Sequence, residues 1–139
     1  MRSELYFFGE GLSSHVVDLI KGVRKHRTNP KVSSQIRSCR DYIELHAEQA
    51  LTLSTLAGQV GYSEYYLSRK FKKEMGISVS AYIKVVRVER SKLMLVGTGF
   101  PIAHIADTFH FASSSHYSEV FREITGKTPQ QYRLENQKF

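Results

Sequence analysis

One cysteine, Cys39, stands among 139 residues. It excludes an internal disulfide framework and any cysteine-based zinc site, and it fits a reducing compartment. Long apolar runs are absent, so no membrane-spanning segment is expected. No signal-peptide pattern opens the chain, because Glu4, Gly9, Glu10 and Gly11 interrupt it, and a cytoplasmic location is the expectation. Phosphate-cradling glycine loops and paired-carboxylate motifs are missing too. His104, His110 and His116 are spaced six apart, off any common helical face and with no carboxylate at ligand spacing, so neither a metal nor another cofactor is expected. Acidic residues are the last deficit. Thirteen Asp+Glu against 20 Lys+Arg leave a net charge of +7, which suggests an acidic partner, most often nucleic acid.

What is present reads as an ordinary soluble composition, 41% hydrophobic and 24% charged, of a length suited to one domain or two very small ones. Residues 1–32 look like a linker with a short amphipathic helix. Val16, Leu19, Ile20 and Val23 share one face there, and Thr28-Asn29-Pro30 ends it. That stripe either packs on the remainder or a neighbouring domain, or it is a dimerisation helix.

From Ser33 onward every segment reads as helix. Ser33 or Ser34 caps a helix to about Glu48, with Ile36, Cys39, Ile43 and Ala47 on one face. Thr52 caps Leu53 to Val60, ended by Gly61; Ser63 caps Glu64 to Met75, ended by Gly76. Ser78 opens a long helix to about Val96, and Pro101 starts a short one to Phe109. Ser113 or Ser114 caps a helix to Thr125, ended by Gly126, and Thr128-Pro129-Gln130-Gln131 is a capping box. Almost nothing alternates with period two. The expected fold class is all-α.

Residues 53–83 and 102–133 echo one another. Ala57 matches Ala106, Val60 matches Phe109 and Tyr62 matches Phe111 at a spacing of 49. After one inserted residue, Ser63, Ser68, Phe71, Gly76 and Tyr82 match Ser113, Ser118, Phe121, Gly126 and Tyr132 at 50. Each copy is a short helix, a tight turn and a second helix, with a small alanine where the two cross. This is the layout of a helix-turn-helix, whose second helix enters the DNA major groove. The helix between the copies would span roughly 28 Å, enough to hold two recognition helices near successive major-groove segments, about 34 Å apart.

The motifs Leu53-Ser-Thr-Leu-Ala57, Gly61-Tyr62-Ser63, Leu67-Ser-Arg-Lys-Phe71-Lys72, Gly76, Tyr82-Ile83 and Arg87-Val-Glu-Arg-Ser91 make up the first half of a familiar pattern. Ile102-Ala-His-Ile-Ala106, Phe111, Phe121, Gly126, Thr128-Pro129 and Tyr132-Arg133 complete it. Residues 33–139 thereby resemble the DNA-binding domain of the AraC/XylS family of bacterial transcription regulators. The resemblance implies a first helix-turn-helix at 33–77, a connecting helix at 78–96 and a second helix-turn-helix at 97–139, as homeodomain-like three-helix units. It also implies a sequence-specific regulator, commonly an activator that touches RNA polymerase. Members usually carry an effector or receiver domain ahead of this part, for which residues 1–32 are too short, so the chain is either a stand-alone small regulator or, as the apolar stripe favours, a piece of a longer one.

The recognition helices fall at about 63–75 and 113–125. On the first, Tyr65, Ser68 and Arg69 share one exposed face, and the family's base-contacting positions carry over to them. Arg69 can pair bidentately with guanine, and Tyr65 can meet a thymine methyl or a phosphate. Lys70, Lys72 and Lys73 suit phosphates, as does the helix start at Thr52. On the second, the reader positions are Ser114, Ser115, Ser118 and Glu119, with Arg122 for phosphate. The place of Glu119 is often basic in relatives; here it can accept from cytosine N4 but repels phosphate. His110 stands where the family usually has glycine, and His116-Tyr117 where an aromatic pair is common. Arg87 matches a frequent family arginine, read as structural first. Net charge is +2 over 63–75, +3 over the connecting helix and −1 over 113–125. The first unit is therefore expected to anchor binding and the second to read weakly.

Ser113-Ser-Ser-His116 sets hydroxyls beside an imidazole, but serines ahead of a helix are capping residues far more often than nucleophiles. Cys39 sits on an apolar face and reads as core. The chain is not expected to be an enzyme. The rival classes are a non-specific architectural DNA binder and a protein-interaction module that has kept the fold.

Overall fold

Serine, threonine and glycine punctuate the chain, and the helices start and stop on them. The computed structural model describes residues 32–137. Among these are seven helices and no strand: α1 (Ser34–Leu45), α2 (Leu53–Val60), α3 (Glu64–Met75), α4 (Val79–Gly97), α5 (Ile102–Thr108), α6 (Ser114–Thr125) and α7 (Pro129–Asn136). The all-α expectation holds. The amphipathic helix expected within residues 1–32 lies outside the described residues.

The caps are side-chain caps of the ordinary kind. Ser33, Thr52, Ser63, Ser113 and Thr128 each accept a hydrogen bond from the backbone N–H three residues on. At Thr128 the reciprocal bond from its own N–H to Gln131 completes the capping box. Gly61, Gly76 and Gly126 end their helices at φ of +76°, +80° and +85°, a region that costs a Cβ-bearing residue energy.

Several boundaries differ from the sequence expectation. Helix α1 ends at Leu45, because His46 leaves helical geometry, stacks on Tyr42 with ring centroids 4.0 Å apart and directs both its backbone N–H and its Nδ1 at the Tyr42 carbonyl. Pro101 sits at the N-cap with ψ at 150° rather than in the first turn, so α5 starts at Ile102 and ends one residue before Phe109.

The described residues divide into two compact units whose boundary, between Val86 and Arg87, falls inside α4. In the first, α1 packs on α2 and α3. Its core is Ile36, Cys39, Ile43, Leu56, Ala57, Leu67, Phe71, Met75, Ile77 and Tyr82, with Phe71 and Tyr82 rings 5.8 Å apart. The Tyr82 hydroxyl donates to the Glu44 carboxylate. In the second, α6 packs on α5 and α7 around Val88, Leu95, Ile105, Ala106, Phe109, Tyr117, Val120 and Phe121. Phe121 and Tyr132 rings repeat the earlier pair at 5.6 Å. The Tyr117 hydroxyl donates to Ser91 Oγ at 2.7 Å, and Ser91 donates in turn to the Val88 carbonyl. Arg133 donates to the Leu95 and Thr98 carbonyls, fastening α7 to the end of α4.

Candidate nucleic-acid interface

In the first unit Leu67, Phe71 and Met75 point α3 inward and are fully buried, which turns Tyr65, Ser68, Arg69, Lys72 and Lys73 outward. Tyr65 is 71% exposed. The Arg69 guanidinium lies over its ring, 5.4 Å from the centroid. The expected reading pair is therefore preassembled on one exposed face, with half-exposed Ser68 beside it. An open groove of about 780 Å³ borders α3, lined by Tyr66, Ser68, Arg69, Lys70, Lys72, Lys73 and Ser78. Its charge is basic.

The cations of that groove are not equivalent. Lys72 and Lys73 are exposed in the last turn of α3, where the helix dipole favours them. Lys70 is paired with Glu74 at 2.9 Å and lies over the Tyr66 ring, 5.8 Å from its centroid. Tyr66 in turn meets Tyr62 edge-on at 4.7 Å. Glu74 is also bound by Ser33, whose N–H and Oγ donate to Oε1 at 2.8 and 3.0 Å. Burial works to raise the Glu74 pKa, yet the hydrogen bonds from Lys70 and Ser33 hold the carboxyl below its ordinary value. The Thr52 hydroxyl caps α2 and donates to Thr55 Oγ1 at 2.9 Å.

In the second unit Tyr117, Val120, Phe121, Ile124 and Thr125 are the buried side of α6. Ser115, Glu119 and Arg122 are exposed and Ser114 and Ser118 half-exposed, so the expected reader positions share the outer face. The Ser113 hydroxyl accepts the backbone N–H of His116 at 3.0 Å, the work of a helix cap. His116 presents its ring to Phe111, with centroids 5.9 Å apart. Cys39 is buried, and burial pushes its thiol up to about 11, as fits a core residue rather than a nucleophile. Arg87 is half-buried, and burial lowers its pKa. Among the described residues no group of three or more His, Cys, Asp or Glu side chains is placed to hold a metal ion. No described helix is long and apolar enough to cross a membrane.

The sequence pattern does not single out Glu74 or Tyr66, and in it Glu74 is only a charge on α3. Its spacing from Lys70 along the helix was a visible signal, whereas its tie to Ser33, 41 residues away, had none.

Residues 56–135 match the family profile described as a helix-turn-helix domain. A helix-turn-helix-type transcriptional regulator of Staphylococcus aureus is 36% identical over 112 residues, which cover 79% of this chain and 15% of that protein. The chain thus spans about 15% of the length of the curated relatives it matches first. Among solved structures, the C-terminal domain of the response regulator AraT of Geobacillus stearothermophilus superposes with a TM-score of 0.72 at 33% identity, over 78% of this chain and 91% of that one. A transcriptional regulator of Chromobacterium violaceum, described as containing an AraC-type DNA-binding domain, gives 0.71 at 27% identity, over 78% and 96%.

Proposed function

The chain belongs to the AraC-type helix-turn-helix family of DNA-binding transcription regulators, and we propose that it reads a specific duplex with α3 and α6 in successive major-groove segments. The single observation that carries this is the repeated, capped helix pair with an outward Tyr65–Arg69 couple on its first recognition helix. Arg69 pairs with guanine, Tyr65 and Ser68 read beside it, and Lys72 and Lys73 bind phosphates, with Thr52 at the same backbone. On α6, Ser114, Ser115, Ser118 and Glu119 face the bases and Arg122 a phosphate. With Glu119 and Glu123 on it, that helix contributes less affinity than α3.

The relatives' length supports the further reading that this segment works within a cytoplasmic regulator carrying an effector or receiver domain. Activation through contact with RNA polymerase completes the proposal. A salt titration tests the DNA-binding part. Counterion release dominates specific and random duplexes alike, but a sequence-specific reader favours its own site by a factor of about a thousand or more. Equal affinity for both duplexes at all salt concentrations fits an architectural binder instead. No salt-dependent binding fits a protein-interaction module.

A further inference from the structure

Four cations stand on α3, and among the described residues one of them, Lys70, has a carboxylate locked onto it. The Lys70 ammonium meets Glu74 Oε2 at 2.9 Å, and the other oxygen of that carboxylate takes two hydrogen bonds from Ser33. Lys70 and Glu74 are one helical turn apart, and both side chains are largely covered, 26% and 15% exposed. An exposed pair of this spacing would be loose and easily traded for a phosphate. Here the carboxylate cannot swing away without giving up the Ser33 bonds, which belong to the cap residue of α1. Tyr66, under the same ammonium, limits its travel on the other side.

We infer that Glu74 is a positioning residue that withholds Lys70 from the DNA backbone, so that the recognition helix engages phosphates with Lys72 and Lys73 while Lys70 stays an internal counterion tied to Ser33. The inference rests on the DNA-binding reading above. Its consequence is that phosphate engagement by the first unit is set partly at the point where residues 1–32 lead into α1. Whatever draws Ser33 off Glu74 loosens the carboxylate and frees a fourth cation for DNA.

The test is the slope of log binding constant against log salt concentration on one fixed duplex, measured for wild type, K70A, E74Q and K70A/E74Q. Each phosphate neutralised adds about 0.9 to the magnitude of that slope. Wild type and K70A should have the same slope, E74Q should be steeper by about 0.9, and the double variant should return to the wild-type value. K70A alone, a change at a partly exposed side chain that leaves the core intact, decides the matter even if E74Q folds poorly. A slope shallower by about 0.9 in K70A overturns the inference while leaving the DNA-binding reading standing. So does a gain in E74Q that persists in the double variant, since removal of a negative charge alone would then explain it. If wild type shows no salt-dependent binding, the DNA-binding reading fails and the inference fails with it.

Discussion

Gly61 and His110 occupy the same backbone conformation, φ +76° and +63°, at the same point of the two helix turns. Each is followed by an aromatic residue whose N–H donates to an alanine carbonyl five residues back, Tyr62 to Ala57 at 3.0 Å and Phe111 to Ala106 at 2.9 Å. The turn is thus held constant while the residue in its left-handed position changes from glycine to histidine. That position costs a Cβ-bearing residue about 1–2 kcal/mol.

The first prediction follows from that difference. Gly61→Ala should lower stability by about 1 kcal/mol although nothing lies within 4 Å of the added Cβ, because the penalty is conformational. His110→Gly should raise stability by up to about 1 kcal/mol, less what the histidine side chain contributes. Denaturant midpoints measure both. A Gly61→Ala variant as stable as wild type would show that the turn relaxes.

Arg69 and Glu119 should behave oppositely in DNA binding. Losing a bidentate guanine contact costs about 1–3 kcal/mol, so Arg69→Ala should lose roughly tenfold or more in affinity and relax preference at one base pair. Glu119→Ala should change affinity much less. Competition binding against single-base variants of the preferred duplex reads both effects, and the reverse ordering would move the anchor to the second unit.

The buried chain from Tyr117 to Ser91 to the Val88 carbonyl makes its two ends unequal. Tyr117→Phe removes one hydrogen bond but leaves Ser91 bonded, at a cost of about 1 kcal/mol. Ser91→Ala leaves the Tyr117 hydroxyl buried without its acceptor, and should cost about 1–3 kcal/mol. Equal losses in thermal or chemical unfolding would mean that the tyrosine finds another partner.

Glu89 should make stability depend on pH. Burial pushes its carboxyl from 4.5 up to about 7, against the pull of Lys92, 3.0 Å away, and of Arg90. A carboxyl whose pKa is higher folded than unfolded binds its proton more tightly in the folded state. Its stabilising contribution is full below about pH 4.5 and is lost as pH rises to about 7. The stability of wild type relative to Glu89→Gln, which does not titrate, should therefore fall across that window. A flat difference would mean that Lys92 holds Glu89 ionised throughout.

Much of the fold was legible because its signals are local. Thr52, Ser63, Ser113 and Thr128 announce helices within three residues, and Gly61, Gly76 and Gly126 end them through their own φ. The register of the repeat placed Tyr65, Ser68 and Arg69 on an outer face, and burial of Leu67, Phe71 and Met75 puts them there. The end of α1 was missed because it depends on one ring, His46, competing for the Tyr42 carbonyl. The state of Lys70 was missed because it depends on Ser33, far away in sequence. Arg133, read only as part of a motif, spends its guanidinium on carbonyls of Leu95 and Thr98. Side-chain bonds across tens of residues leave no periodic trace.

The most direct test of DNA reading by this chain is selection of bound sequences from a random duplex pool. A strong guanine-containing block set by Arg69 is expected, with a weaker block about one helical turn away set by α6. A pool that emerges without an enriched block, though bound in a salt-dependent way, would contradict it.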